Sequence, residues 1–452
     1  MNNLDLQDGS RVAIIGGGPA GSFFAYFLQK YAQHRGIHPD VTIFDAKDFM
    51  LKGPKGCNLC AGVISETLSQ RLRSEGIPLP EQRIVHRVDG YCLHLDHRRL
   101  FLTGEGEKAD SIATVFRGNG PRYSKYSGTI SFDDFLLTLA QDYGASVVLK
   151  PVRDIELAGD SGGPVRLYIG PDRDVRGQDF DLVVGAFGVN SQMTRKIQGL
   201  GFGYAPPATL RTFQAEVQLD QEKIAQEFGN LIHVFMPQSK IIRYVTIVPK
   251  GDFLSLTFVG RKDITPAALP EFMEFMRSQN ITPGQTPQCT CFPRIVTAAA
   301  LRPFTHRMVM IGDANCTRYY KNGIESAFVT AELAAHTAVY QGIDARSFAA
   351  HYLRPARKII VRDNRYGRLL FFLNDTLTTA SSLQSTHIDM AGQENDSRPA
   401  RMLRSILWNM FTGNQSYEAI FKKALNPRLQ AALLAHGVRS LFARKARPHP
   451  GS

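Results

Sequence analysis

The chain has 452 residues, of which 43% are hydrophobic, so it is long enough to bury a large core in two or three domains. No stretch approaches the roughly 18 consecutive apolar residues that a membrane-spanning helix needs. The polar, acidic N-terminus lacks the charged and then apolar pattern of a secretory signal. These features exclude an integral membrane protein, and we expect the chain to be cytoplasmic.

The formal net charge of +12 is unevenly distributed. Segment 401–452 carries nine Lys or Arg residues and a single acidic residue, Glu418. Leu, Phe and Trp are interleaved with these cations. The pattern is typical either of a solvated helical surface or of peripheral contact with the anionic inner face of a membrane. No nucleic-acid-binding motif accompanies the charge, so we expect no nucleic-acid partner.

The N-terminal region predicts a strand, a helix and a second strand. Arg11–Ile15 is a short apolar run that enters a glycine cluster, as buried parallel strands do. From Ala20 onward, apolar residues recur at helical spacing. A second apolar run, 41–44, ends at Asp45. Together these elements form one βαβ unit.

The glycines of this unit follow the G-x-G-x-x-G spacing of dinucleotide-binding loops. Gly16 permits the tight turn, Gly18 lets the backbone approach a pyrophosphate, and Gly21 lets helix and strand pack closely. The helix N-terminus then faces the phosphate charge. Asp45, at the end of the second strand, is placed to accept hydrogen bonds from ribose hydroxyls.

Three motifs resemble those of the glutathione-reductase-like flavoproteins. Gly16-Gly17-Gly18-Pro19-Ala20-Gly21-Ser22 is similar to their FAD fingerprint. Segment 308–313, ending in Gly312-Asp313, is similar to their second flavin motif, in which the aspartate binds the ribityl chain. Asn322-Gly323-Ile324 falls where these proteins turn a helix N-terminus toward a flavin carbonyl oxygen, and a helix dipole there stabilises negative charge on reduced flavin. The resemblance implies FAD as the cofactor.

Within that group the chain is most similar to the geranylgeranyl reductase family, whose members saturate carbon–carbon double bonds in isoprenoid chains. Cys60-Ala61-Gly62-Val63-Ile64-Ser65 resembles the family's Cys-Gly-Gly-Gly-Leu-Ser loop near the flavin. Phe132-Asp133 and segment 181–191 also match in order and spacing, and the resemblance covers about residues 10 to 340. It implies that Cys60 is catalytic and assists proton delivery to the alkene, since a thiol near a polar flavin edge can have a lowered pKa.

The remaining elements predict two interleaved domains and a helical end. We expect an α/β fold in which a Rossmann-type FAD-binding domain, as in the p-hydroxybenzoate-hydroxylase-like flavoproteins, is interleaved with an antiparallel-sheet substrate domain. A basic C-terminal helical region follows. The predicted boundaries are 10–84, 123–200 and 290–342 for the FAD-binding domain, 85–122 and 201–289 for the substrate domain, and 343–452 for the helical region.

Two departures from the related flavoproteins bear on the chemistry. Phe187 stands where they usually have an aspartate, which weakens the case for hydroxylase-like docking of NADPH. The second flavin motif continues with Arg318 and Lys321 and lacks the usual proline and glutamate. If these cations lie near the flavin, they favour an anionic reduced flavin or an acidic substrate group. The alternative is that both face solvent.

Cys57 leaves the role of Cys60 open. The Cys57-x-x-Cys60 spacing is compatible with a redox disulfide, with half of a metal site, with one functional thiol, or with no chemical role. A metal would need a second ligand pair, and Cys289-x-Cys291 has an unusual spacing for zinc. We therefore expect no metal.

The predicted function is reduction of carbon–carbon double bonds in an isoprenoid or other lipid-like substrate by hydride transfer from reduced FAD. The expected partners are a small hydrophobic substrate and a reductant, either NADPH or a ferredoxin-like protein. Large apolar residues of the middle sheet form either a substrate tunnel or a sheet core. These residues are Phe213, Val217, Phe235, Leu254, Leu256 and Phe258.

Two alternatives remain. A flavin-dependent monooxygenase or halogenase has the same fold, although a Trp-x-Trp halogenase signature is excluded because Trp408 is the only tryptophan. A flavin-binding accessory protein without turnover is the alternative outside enzymology.

Overall fold

The computed structural model describes residues 4–58, 61–95, 98–103, 112–158, 162–237, 239–279, 289–379, 381–392 and 397–445. The strands are β1 (Arg11–Ile15), β2 (Asp40–Phe44), β3 (Val63–Ile64), β4 (His86–Val88), β5 (Gly90–Leu95), β6 (Arg98–Thr103), β7 (Ile112–Thr114), β8 (Ser146–Val148), β9 (Val152–Leu157), β10 (Val165–Ile169), β11 (Arg176–Phe180), β12 (Leu182–Gly185), β13 (Ala208–Arg211), β14 (Phe213–Gln218), β15 (Leu231–Phe235), β16 (Ile242–Lys250), β17 (Phe253–Gly260), β18 (Cys289–Cys291), β19 (Arg294–Ala298), β20 (Phe304–Thr305) and β21 (Met308–Met310).

The helices follow the same chain order, and two π-helical stretches, Phe348–Leu353 and Arg357–Val361, lie among them. The α-helices are α1 (Pro19–Arg35), α2 (Glu66–Ser74), α3 (Phe132–Asp142), α4 (Met193–Gly199), α5 (Gln221–Phe228), α6 (Leu269–Ser278), α7 (Gly323–Tyr340), α8 (Ala345–Ser347), α9 (Arg354–Ala356), α10 (Asp363–Thr379), α11 (Ser381–Ala391), α12 (Arg398–Thr412), α13 (Tyr417–Ala424) and α14 (Pro427–Lys445). Among the described residues, no helix is both long and apolar enough to cross a membrane.

The six-stranded sheet carries the nucleotide-binding end of the molecule. Its order is β20-β21-β12-β1-β2-β8, and only the β20–β21 pair is antiparallel. One face packs against α1, α3 and α7, and the other against the antiparallel β9-β10-β11 sheet. Burial on both faces explains why β1 reads as a continuous apolar run. The predicted α/β class with a Rossmann-type sheet is confirmed.

Helices α1 and α7 pack together over this sheet. The ring of Phe328 on α7 meets those of Phe23 and Phe27 on α1 at centroid distances of 5.2 and 5.1 Å. Pro19 occupies the first turn of α1, and Gly36 ends it in the left-handed conformation, with a φ of 73°. The packing places the N-termini of both helices beside the same large cavity.

The seven-stranded sheet has two faces with different roles. Its order is β18-β14-β17-β16-β15-β5-β6, with only the β15–β5 pair parallel. One face borders the cavity, and the other packs against α5 and α6. All six large apolar residues that were predicted to be either a tunnel or a core lie in the α5–α6 core. The tunnel alternative is therefore wrong for these residues.

The C-terminal helices close the cavity face of this sheet. Leu403, Ile406, Tyr417 and Ile420 are buried in one core with residues of β5 and β6. This packing accounts for apolar residues interleaved with the cations after residue 401. The predicted domain boundaries stay a prediction, and a division at residue 290 would cut strand β18, which belongs to the seven-stranded sheet.

Candidate functional site

The glycine loop between β1 and α1 has a geometry that only glycine allows. Gly16 has a φ of +106°, and a Cβ atom there would lie 2.6 Å from the carbonyl oxygen of Ala186. A Cβ atom at Gly21 would lie 1.9 Å from the carbonyl oxygen of Gly16. Because real Cβ atoms do not approach this closely, both positions require glycine. The start of α1 is thereby held against the end of β1.

Asp45 is fixed by the loop that it faces. Its Oδ2 accepts the amide N–H of Gly17 at 2.7 Å, and its Oδ1 accepts that of Lys47 at 2.8 Å. Burial raises the pKa of the Asp45 carboxyl, while these two amides lower it. A carboxylate has further lone pairs, so Asp45 can still accept hydrogen bonds from a ribose.

The second flavin motif meets the first at Gly312. This residue has a φ of +58°, and its added Cβ would lie 2.8 Å from the Cβ of Ala20. Its amide N–H donates to the hydroxyl of Thr330 on α7 at 2.9 Å. Burial raises the pKa of the neighbouring Asp313 carboxyl, and the positive charge of Arg117 partly offsets this increase. Asn322, with a φ of 55°, leads into α7.

Twelve of the predicted cofactor-binding residues border one cavity of about 740 Å³. Gly21, Ser22 and Gly312 lie behind them, and the Ser22 hydroxyl donates to the carbonyl of Gly17 at 2.9 Å. Residues bordering the cavity are Gly16, Gly18, Pro19, Ala20, Asp45, Ala61, Gly62, Val63, Asp313, Asn322, Gly323 and Ile324.

A buried ion pair beside the glycine loop was missed by the sequence analysis. Arg117 and Asp133 are 9% and 0% exposed, and Arg117 Nη2 donates to Asp133 Oδ2 at 2.9 Å. The Asn58 amide donates to the same carboxylate. An added Cβ at Gly18 would lie 3.9 Å from Arg117 Nη2, so a cation stands next to the expected pyrophosphate. In the sequence, only the match of Phe132-Asp133 to the geranylgeranyl reductase family pointed to this part of the site.

Gly62, in the loop after Cys60, packs closely against the backbone of Val115, just after β7. Cys60 itself lies outside the described residues, so its predicted catalytic role stays a prediction. Gly62 has a φ of +64°, and its added Cβ would lie 2.0 Å from the carbonyl oxygen of Val115 and 3.2 Å from Nζ of Lys250. Lys250 is buried, with its ammonium group 4.8 Å from the ring centroid of Phe116.

Arg318 and Lys321 connect the flavin motif to the C-terminal helices. Arg318 Nη1 donates to the carbonyl of Gly413 at 2.6 Å, and Lys321 Nζ donates to that of Asn409 at 3.3 Å. Both cations stack on the ring of Tyr417, at 4.4 and 5.0 Å from its centroid. The expectation that they face solvent is wrong. Burial lowers the pKa of Lys321.

Of the cysteines near the cavity, Cys289 and Cys291 are free thiols. Cys57, Cys289 and Cys291 are half-buried. Burial, and to a lesser extent the nearby thiol of Cys57, raise the pKa of Cys291 to about 12. Within the described ranges, these thiols do not form a group whose ligand atoms are close enough to hold an ion. The Cys57–Cys60 disulfide and metal alternatives include a residue outside those ranges.

The residues at this end of the cavity fit an FAD molecule. The α1 N-terminus and Arg117 supply positive potential for a diphosphate, Asp45 supplies a ribose acceptor, and the α7 N-terminus points into the adjoining space. Glycines keep the walls free of side chains where the backbone must approach a ligand. When bound, FAD supplies hydride transfer, which no protein side chain can provide.

Known proteins support the same cofactor. No protein-family model matches the chain. It is 23% identical over 341 residues to geranylgeranyl diphosphate reductase of Synechocystis sp., covering 73% of this chain and 75% of that one. It is 26% identical over 200 residues to kynurenine 3-monooxygenase of Christiangramia forsetii, covering 43% and 39%.

Two solved structures show the fold over more than nine-tenths of the chain. A geranylgeranyl bacteriochlorophyll reductase-like protein of Thermoplasma acidophilum matches with a TM-score of 0.64 and 16% identity, over 92% of this chain and 99% of that one. The flavin-dependent halogenase CmlS matches with a TM-score of 0.54 and 17% identity, over 94% and 72%. The chain is an FAD-dependent oxidoreductase that is similar to geranylgeranyl reductases in sequence and in fold. The predicted cofactor, FAD, is thereby confirmed.

Gly21→Ala tests the glycine loop. The added methyl would meet the backbone oxygen of Gly16, so we expect at least about hundredfold weaker FAD binding, or about 2.8 kcal/mol. FAD retained per chain and fluorescence titration measure this. Gly199→Ala is the matched control, because an added Cβ there has nothing within 4 Å. Equal FAD affinity in the two variants would contradict the geometry.

Proposed function

We propose that the protein reduces a carbon–carbon double bond of an isoprenoid or other lipid-like substrate, using a hydride from reduced FAD. The main support for this proposal is that the cavity continues beyond the FAD end into an apolar compartment. This compartment lies between the cavity face of the seven-stranded sheet and helices α10 and α12. Residues that line it are Ile232, Val234, Val248, Phe371, Leu407 and Met410.

The compartment also has a polar side that suits a substrate headgroup. Arg243 lines the cavity, donates to the hydroxyl of Tyr320, and pairs with Asp375 at 3.0 Å. Its Nε is buried and has no hydrogen-bond partner among the described residues. A buried unsatisfied donor is costly unless a ligand or water fills the place. An anionic or hydroxyl headgroup at Arg243 would leave the apolar chain against Val234 and Met410.

Two groups are proposed as the proton source. Cys60 remains the proposed catalytic acid on the resemblance of its loop. Tyr244 also lines the cavity, and burial raises the pKa of its phenol, so it stays protonated at neutral pH and can donate. Either group would complete alkene saturation, since hydride addition to one carbon requires a proton on its neighbour.

Monooxygenation is the second candidate function, and the match to kynurenine 3-monooxygenase supports it over less than half of the chain. Phe187 argues against hydroxylase-like NADPH docking. Its ring fills the space beside Gly185, where an added Cβ would lie 2.6 Å from Phe187 Cε1. No carboxylate is present at that position. As reductant we propose NADPH or a ferredoxin-like protein, for which the positive net charge is favourable.

Peripheral contact with an anionic membrane at the cytoplasmic face is proposed through α10. Arg362, Arg365 and Arg368 are exposed, and Leu369 and Phe372 are 40% and 66% exposed. The spacing of three and four residues places these cations and apolar side chains on one stripe, which suits an anionic lipid surface. A lipid-soluble substrate could reach the compartment from such a surface.

Met410→Trp tests the substrate compartment. Tryptophan would fill space beside Leu407, so we expect reoxidation of photoreduced enzyme by a geranylgeranyl acceptor to slow by about tenfold or more, with a geranyl acceptor less affected. Anaerobic stopped-flow absorbance and product analysis by mass spectrometry measure this. Met402→Trp, on the same helix but outside the cavity lining, is the control. Oxygenated product in air without alkene saturation would overturn the reductase proposal.

Phe372→Glu tests the membrane proposal. A carboxylate placed among three arginines should repel anionic lipid, so we expect a several-fold loss of sedimentation with vesicles containing phosphatidylserine. Phe101→Glu, a change at a 57% exposed residue on β6, is the matched control. Unchanged sedimentation in Phe372→Glu, or none by the unaltered protein, would contradict the proposal.

A further inference from the structure

Three side chains with metal-ligating atoms lie close together on the face of the seven-stranded sheet that is turned away from the cavity. Cys92 and His94 are two residues apart on β5, so they point to the same face. His233 on the neighbouring β15 is in register with Cys92. Their ligand atoms all lie within 4.8 Å of one another, and Cys92 and His233 are buried.

The hydrogen bonds fix the ring orientations. His233 Nε2 lies 2.8 Å from the carbonyl oxygen of Phe228, which can only accept, so Nε2 carries the proton. His233 Nδ1 therefore presents a lone pair toward His94, whose Nε2 is 2.8 Å away. A ligating histidine usually donates its other N–H to a carbonyl in this way.

We propose that Cys92, His94 and His233 bind a zinc ion, which takes the place of the proton on His94 Nε2; that proton moves to Nδ1 of the same ring, so both imidazoles stay neutral. Tetrahedral zinc, with Zn–N near 2.0 Å and Zn–S near 2.3 Å, places two nitrogens about 3.3 Å apart and sulfur about 3.5 Å from each nitrogen. The two rings would have to separate by about half an ångström from their present contact. The fourth position is left for water beside the partly exposed His94.

The ligand atoms select the type of ion. The hydrogen bond to the carbonyl of Phe228 leaves His233 Nδ1 with a lone pair for a metal. Zinc binds cysteine as the thiolate, so binding releases the Cys92 thiol proton. One sulfur and two nitrogens favour zinc over magnesium or calcium, which require oxygen ligands.

The site is separate from the flavin. Tyr91, Ile232 and Val234 alternate with the three ligands along β5 and β15 and border the cavity on the opposite face. A bound ion would hold these two strands together, and the carbonyl of Phe228 would tie the site to the end of α5. Its role is to stiffen the wall of the substrate compartment, with no part in the redox step.

Zinc binding is tested on the full-length, FAD-loaded protein after treatment with a chelator. Titration with zinc should restore one ion per chain, raise the temperature of thermal unfolding, and leave the flavin spectrum unchanged. X-ray absorption at the zinc edge should show one sulfur ligand at about 2.3 Å and two imidazoles at about 2.0–2.1 Å.

His94→Gln and Cys92→Ser should each weaken zinc binding at least tenfold. His94 is partly exposed, and an unchanged FAD content will show that its variant folds. The double variant Cys289→Ser/Cys291→Ser is the control and should keep full zinc affinity. The proposal is overturned if the unaltered protein takes up no zinc, if only this double variant loses it, or if the bound ion has no sulfur ligand.

Discussion

The contact on which the structure depends is the approach of α1 to the end of β1. With an added Cβ at Gly21 only 1.9 Å from the carbonyl of Gly16, the helix can begin there only because Gly21 has no side chain. Ala20 then reaches Gly312, so the same contact fixes the second flavin motif and, through Thr330, helix α7. A phosphate-binding and a flavin-facing helix terminus are thus set by one short loop.

Positive charge lies in two places near this loop. Arg117, paired with Asp133, lies at the expected pyrophosphate and is too buried to be a surface cation. Arg318 and Lys321 are farther along the chain, where they donate to backbone carbonyls at the C-terminal end of α12. These hydrogen bonds join the second flavin motif to a helix that borders the proposed substrate compartment.

The sequence predicted the parts that local patterns encode. Gly16, Gly18, Gly21 and Asp45 were singled out because their spacing reports a short-range geometry, and a helix N-terminus was predicted at Asn322-Gly323-Ile324, where α7 begins. Arg117 could not be found, because its pairing with Asp133, 16 residues along the chain, depends on the fold of the segment between them. The same holds for His233, which meets Cys92 and His94 only through strand pairing over about 140 residues.

The account rests on FAD bound at the glycine loop, and the most direct measurement is the identity and amount of flavin carried by the purified chain. Denaturing the protein and separating the released flavin by chromatography should yield FAD, close to one molecule per chain, with no FMN. A colourless protein that takes up no FAD on reconstitution, despite a folded circular-dichroism spectrum, would contradict the account.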